Sequence, residues 1–445
     1  MKRTNSHRRW VAIVASAAII GLGVAVFAVA SSRPHLTGSY EEVPGAMIVG
    51  DSQLTDRTLS LTISTPSFSE NTRAEVMLPT GYALDPDKKW PVTYYLAGTG
   101  HNEQRFRASY EGEEATAAFD SIVVIPKGDV SYWSDAYAAG GGKYETFLTT
   151  QLIPLIDANF RTIDDRAHRA VFGESMGGYG TMMIAARHPD LFVAAASLSG
   201  VLDSNYERGA VLISLAGAPN SVYGPRDSEL IRWVGHNPTD LASNLRGLDL
   251  QIRVGNGVLG NGEGGTDSMG CDPEKTIVGR ESRTMSDKLS DLHIPHVWHE
   301  YSFGCHSDPL IRREIRDALA GISAAFGTPP PTSFDYRSIE PDFAIYGWRV
   351  SADPRRPLEF LALSGVDATG FTIEGSGETT VTTAPTFTAG QTVDIVAGGV
   401  TTSTVADARG RIEFRVDLGE PNAEQQFRPG STTAVTTVRV QLIAR

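Results

Sequence analysis

The sequence has little cysteine: two residues, Cys271 and Cys305, in a chain of 445. That excludes a disulfide-dense small scaffold and leaves too few thiolates for a cysteine zinc cluster. It also lacks basic excess, with 39 Lys and Arg against 52 Asp and Glu and a net charge of −13. Nucleic-acid phosphates would be repelled, so nucleic acid is not an expected partner, and the acidic surface serves solubility. No repeat recurs at a fixed period, which excludes a solenoid or propeller. His293, His296 and His299 recur every three residues, but in an alternating stretch that spacing scatters them over both faces. They indicate neither a metal site nor a base, and no metal or organic cofactor is implied anywhere.

What is present begins with a basic N-terminus, "MKRTNSHRRW", followed by an apolar run from Val11 to Ala30. Ala28-Val29-Ala30 before Ser31 resembles a signal-peptidase site, so residues 1–30 read as a signal peptide, the alternative being a retained membrane anchor. Either way the rest is expected to be secreted or held on the outer face of the membrane. Export makes Cys271 and Cys305 candidates for a disulfide, with one possible pairing.

Residues 31–55 show no periodicity and read as a tether. From 56 to 327, short apolar runs such as "PVTYYLAG", "SIVVIP", "RAVFGES", "FVAAASLSG" and "LDLQIRVGNG" alternate with amphipathic stretches such as "KYETFLTTQLIPLIDANF". Buried parallel strands interleaved with helices predict a doubly wound, mostly parallel α/β sheet. Pro329–Pro331 then marks a stiff linker over 328–333. Beyond it, "RIEFRVDLG" and "TTVRVQLIA" alternate strictly, placing Ile412, Phe414, Val416, Leu418 and Val438, Val440, Leu442 on single faces. Residues 334–445 therefore read as an all-β, immunoglobulin-like sandwich.

"GESMGGYG", Gly173 to Gly180, contains Gly-x-Ser-x-Gly. That pattern alone is common by chance, but here a strand precedes it and a helix follows. A strand–turn–helix around such a serine is a nucleophile elbow, which lifts Ser175 to the carboxyl edge of the sheet. A serine hydroxyl needs a base, and the base needs an acid, in the chain order Ser, acid, His. His306 follows the apolar run "HVWHEYSF", and His101 is its one rival. Glu263 and Asp267, on the glycine-rich loop "GNGVLGNGEGGTD", stand where the acid belongs. Backbone N–H groups of Met176 and Thr99, with Gly100 next in line, would form the oxyanion hole. A Cys271–Cys305 bond would tie the acid loop to the base loop.

These motifs, together with "SIVVIPKGDVSYWSDAY", "VYGPRD", "NPTDL" and "GCHSD" in order between Ser121 and Ser307, resemble the antigen 85 mycolyltransferases and the wider esterase D-type branch of the α/β-hydrolases. The resemblance implies an α/β-hydrolase domain with Ser175 as nucleophile, Glu263 rather than Asp267 as acid, and His306 as base. It assigns the oxyanion hole to the N–H groups of Thr99 and Met176. There are departures. The charged pair that flanks the family's first loop glycine is missing from Ala97–Gly100, leaving Arg105 and Arg107 as possible substitutes. The family's "His-Ser-Trp" is His306-Ser307-Asp308, and the family has no C-terminal sandwich.

The expected activity is that of an exported serine esterase or acyltransferase. It would pass an acyl group from an ester substrate, through an acyl-enzyme, to water or to a sugar or lipid hydroxyl. The sandwich is a candidate contact with the cell envelope. The competing reading is an envelope-binding protein whose hydrolase domain no longer catalyses.

Overall fold

The apolar runs become the strands of one sheet in the computed structural model, which describes residues 40–206, 221–260 and 269–445. They are β1 (Met47–Gln53), β2 (Thr58–Ser64), β3 (Thr72–Met77), β4 (Val92–Leu96), β5 (Ile122–Pro126), β6 (Arg169–Glu174), β7 (Ala194–Leu198), β8 (Asp249–Val254) and β9 (Val297–Glu300). Their spatial order is β1-β2-β3-β5-β4-β6-β7-β8-β9. From β5 to β9 every pairing is parallel, while β1, β2 and β3 form an antiparallel edge that joins β5. This is the α/β-hydrolase architecture with a mixed, mostly parallel sheet.

Why these strands lack polar alternation is visible in what covers them. Every residue of β4, β5, β6 and β7 is buried. On one face, Tyr95, Val123, Phe172 and Ala196 pack against Ile311, Ile315 and Ile322 of the helix Asp308–Ala325. The helix Met176–Arg187 is buried along its whole length, so it is apolar all round rather than striped. Each wholly buried large apolar side chain contributes about 1.5–3 kcal/mol, which fixes the strand register against slippage.

The chain order reverses beside β4. The strand that follows it lies on one side, and β6 pairs with it on the other, with Leu96 opposite Gly173. Open α/β sheets bind ligands in the crevice at such a reversal, beyond the carboxyl ends of the strands.

One feature of this sheet departs from the sequence reading. The tether expected through residue 55 contains β1, which pairs along β2 with a bulge between Ile48 and Gly50. Its burial is irregular, because an edge strand broken by a bulge does not keep one face inward. Residues 1–39, with the apolar run, lie outside the described residues; within those described, no helix is long and apolar enough to cross a membrane.

The C-terminal strands form two antiparallel sheets. One holds β10 (Phe334–Ser338), β13 (Leu361–Asp367), β14 (Gly370–Gly375), β19 (Thr436–Ala444), β16 (Thr392–Ala397) and β17 (Val400–Val405). The other holds β11 (Asp342–Ile345), β12 (Trp348–Ser351), β15 (Glu378–Thr382) and β18 (Glu413–Asp417). The faces read from alternation, Ile412 to Leu418 and Val438 to Leu442, are buried in one shared core. Trp348 of one sheet meets Phe371 of the other edge-on, ring centroids 5.6 Å apart.

The proline segment does not hold this sandwich away from the hydrolase fold. Pro331 lies against Gly247, and Ile339 fills the space a side chain at Gly235 would need. Tyr336 Oη donates to Arg187 O at 2.6 Å, and Asn244 and Arg337 exchange two hydrogen bonds at 2.9 and 3.0 Å. The Arg187 guanidinium, 9% exposed, bridges Glu145 of the hydrolase fold and Glu340 of the sandwich at 2.7 and 2.8 Å. A chain ended at Gly327 uncovers this seam and leaves the Arg187 cation with half its anions. We expect it to unfold about 5 °C or more below the full protein by calorimetry; equal transition temperatures would show that the seam carries no stability.

Candidate active site

Ser175 follows β6 directly and caps the helix Met176–Arg187. Its backbone sits at φ 57°, ψ −119°, a region a side-chain-bearing residue adopts at a cost of about 1–3 kcal/mol. The surroundings over-determine this conformation. Ser175 N–H donates to Leu198 O at 2.9 Å, and Ser175 O accepts from Tyr179 N–H at 3.0 Å. The turn also presses on the end of β4: a Cβ at Gly177 would stand 1.8 Å from Leu96 O, and one at Gly173 2.4 Å from it. Glycine is required at both positions because a backbone carbonyl already occupies the space.

His306 is the partner of Ser175. Its N–H donates to Gly270 O at 2.9 Å, which fixes the loop after β9, and its Nε2 lies 2.9 Å from Ser175 Oγ. On the other side of the ring, Nδ1 lies 2.7 Å from Glu274 Oε2. An ionised carboxylate only accepts, so Nδ1–H donates to Glu274, which leaves Nε2 to accept the serine proton. The rival His101 is instead bonded through Nδ1 to Glu174 Oε1 at 3.0 Å.

The carboxylate on the histidine is therefore Glu274, where Glu263 was expected. Glu263 and its alternative Asp267 lie outside the described residues. Glu274 is fully buried at the start of the π-helical turn Glu274–Val278, and its second oxygen accepts from Ser199 Oγ and from Gly255 N–H, both at 2.7 Å. In sequence, "CDPEKTIVGRESRTMSDKL" reads as a charged surface helix, which hid the residue. The signal that finds it is the cysteine pair. Cys271 and Cys305 are bonded, Cα atoms 4.2 Å apart, so a residue one turn past Cys271 stands beside the residue after Cys305.

Burial would push the imidazole of His306 down, but the hydrogen bond and charge of Glu274, with Glu174 adding, hold it above the ordinary histidine value. The neutral ring is thus easier to protonate than a free imidazole, a property suited to taking a proton from a serine.

Facing the triad is the loop after β4. Trp133 Nε1–H donates to Ala97 O at 3.1 Å and pins the loop from behind. Gly100 N–H is engaged by Asp129 O at 3.1 Å, which removes it from the candidates for the oxyanion hole. Thr99 shares a cavity of about 310 Å³ with Ser175 and His306. Met176 N–H is the first of its helix, where amides have no intrahelical acceptor. Charged and hydrogen-bonded side chains share the cavity's lining with apolar surface such as Ile311. Glu174 is held by His101 and by Tyr110 Oη at 3.2 Å, and Arg105 pairs with Asp308 at 2.5 Å. Arg105, a possible substitute for the missing charged pair, thus meets Asp308, which stands where the resembled family has its tryptophan. Arg107 turns away to Glu75, 3.0 Å off.

Known proteins similar to this chain are esterases and acyltransferases by name. The chain is similar to Esterase Rv1288 of Mycobacterium tuberculosis, 30% identical over 296 residues covering 63% of each chain, so it spans less than two thirds of that relative. It is similar to the diacylglycerol acyltransferase/mycolyltransferase Ag85B of Mycobacterium leprae, 31% identical over 268 residues, covering 56% of this chain and 73% of that protein. Among solved structures, MPT51 (FbpC1) of Mycobacterium tuberculosis superposes with a TM-score of 0.50 at 20% identity, covering 59% of this chain and 96% of that one, a likeness of fold. Residues 65–322 match the family model described as putative esterase, well over half the chain, and with the elbow and histidine at its sheet edge this protein belongs to that esterase family.

Proposed function

We propose that the protein is an exported serine esterase or acyltransferase that works through Ser175, His306 and Glu274. The observation that carries this reading is the unbroken hydrogen-bonded line from Ser175 Oγ through His306 to Glu274, ending on a serine in a strained elbow. In the reaction, Ser175 Oγ attacks the ester carbonyl as its proton passes to His306 Nε2. The carbonyl oxygen becomes an oxyanion, for which the N–H groups of Thr99 and Met176 are the proposed donors. Collapse of the intermediate expels the alcohol, which takes the proton from His306 and leaves the acyl-enzyme. Water or a second hydroxyl then repeats the sequence in reverse. Glu274 keeps the ring oriented and stabilises the imidazolium without taking the proton.

The cavity's charged and hydrogen-bonded walls favour a polar alcohol as leaving group or acceptor, such as a sugar hydroxyl or lipid glycerol. The names of the relatives cover both hydrolysis and transfer. Export is supported by the Cys271–Cys305 bond, which needs an oxidising compartment to persist. The competing reading, an envelope-binding protein that no longer catalyses, is disfavoured by a complete triad at bonding distances, and the sandwich remains its candidate envelope contact.

Ser175→Ala is expected to abolish fluorophosphonate labelling and lower kcat/KM on a p-nitrophenyl ester by about 10⁴-fold or more. Equal labelling of wild type and variant would refute the assignment of the nucleophile.

Because the base acts neutral, kcat/KM should fall as pH drops through a His306 pKa held above the ordinary histidine value. Glu274→Gln removes the carboxylate charge and the charge-assisted hydrogen bond that do most to raise it, leaving the smaller contribution of Glu174. The variant should lose about 10²–10⁴-fold in rate, with its acid limb shifted to lower pH. Glu263→Gln should be mild. A damaging Glu263→Gln beside a silent Glu274→Gln would return the acid to the glycine-rich loop.

Opening the Cys271–Cys305 bond frees the segment carrying Glu274 from the residue next to His306. Mild reduction should therefore lower kcat/KM several-fold before circular dichroism detects unfolding. Unchanged turnover after complete reduction, checked by thiol alkylation and mass spectrometry, would exclude a positioning role.

A further inference from the structure

Behind the triad lies a second carboxyl group that the mechanism above does not use. Glu314 belongs to the helix Asp308–Ala325 and is fully buried, as are Ser199 and Glu274. Ser199 Oγ is 2.7 Å from Glu274 Oε1 and 3.0 Å from Glu314 Oε1. Two carboxyl groups thus bracket one hydroxyl, and a hydroxyl has one proton to give. Both could be charged only if one of them faced the serine oxygen with no hydrogen between, at a place buried from bulk solvent where the repulsion is weakly screened. Glu314 Oε2 has no partner among the described residues, and an uncompensated ionised oxygen is the costlier one to bury.

We propose that Glu314 is a positioning residue of the triad, held as a neutral carboxylic acid whose O–H donates to Ser199, so that the Ser199 proton is committed to Glu274. The inference rests on the reading of Glu274 as the acid that orients His306. It extends the line to five members: Glu314 to Ser199, Ser199 to Glu274, Glu274 to His306, His306 to Ser175. Only Glu274 in this line is an anion, so the one carboxylate in direct contact with the imidazole carries a localised charge.

The groups facing Glu314 agree with this assignment. Burial first, and the charge of Glu274 second, push its carboxyl well above the ordinary carboxylate range, against the Ser199 hydrogen bond and the more distant charges of Arg253 and Arg313. Those two cations are engaged elsewhere: Arg253 by Gln251 Oε1 and Asp317 O, and Arg313 by Phe303 O. Ser199 itself sits at φ 46°, directly after β7, with its N–H donating to Arg253 O at 2.8 Å. Its hydroxyl is therefore carried on a fixed backbone, and only its proton is left to be directed.

The test combines infrared spectroscopy and pH–rate profiles on the full protein. The wild-type minus Glu314→Gln spectrum at neutral pH should contain the carbonyl stretch of a buried, protonated carboxylic acid. Its absence overturns the proposal. This arm needs no activity, so it stands even if the esterase reading fails. In kinetics on a p-nitrophenyl ester, Glu314→Gln keeps a donor for Ser199 and should retain rate within about threefold, with the acid limb of kcat/KM in place. Glu314→Leu has no donor and should lose about tenfold in kcat with KM held. If Glu314→Gln instead moves the acid limb to lower pH, a negative charge has been removed and Glu314 is ionised, which also overturns the proposal.

Discussion

A buried charge tolerates few neighbours, and the carboxyl edge of the sheet is arranged to supply them to Glu274. Its two oxygens accept from His306, Ser199 and Gly255 N–H, groups delivered by the loop after β9, the end of β7 and the end of β8. Each donor comes from a different parallel strand, so the anion can be satisfied only when β7, β8 and β9 lie in register. Leaving such a charge short of partners costs several kcal/mol. The same requirement that keeps the fold from slipping therefore orients the imidazole, and with it the hydroxyl of Ser175.

Backbone contacts do the corresponding work on the nucleophile's side. Leu96 O stands where side chains at Gly173 and Gly177 would go, so β4, β6 and the following helix meet at a distance only glycine permits. The loop that carries Thr99 leaves β4 at that same point and is pinned by Trp133. Nucleophile and loop are thus referenced to one strand end, and their separation does not depend on flexible side chains.

The parts of this arrangement that were legible in the sequence are those written locally. The buried strands announced themselves as continuous apolar runs, the elbow as a glycine-framed serine between strand and helix, and the sandwich by the alternation from Ile412 to Leu418. His306 was found because it follows a strand end in the right chain order. Glu274 was not, because nothing within its own turn distinguishes it from a surface glutamate. Its role is conferred by His306, 32 residues away, across a disulfide. β1 was missed for a related reason, since a bulged edge strand owes its place to its neighbour's backbone rather than to its own pattern. The triple proline suggested separation because stiffness is local, whereas the seam it leads into is made by residues far apart in sequence.

That seam bears on how such a chain could have changed over its history. Arg187 closes the helix that begins at the elbow, and its cation is shared between a glutamate of the hydrolase fold and one of the sandwich. The hydrolase fold is thus fitted to its appendage at the far end of the elbow's helix. A lineage that lost the sandwich by a single deletion would inherit a cation fitted to two anions with one remaining. It would have to substitute that residue or recruit another acid.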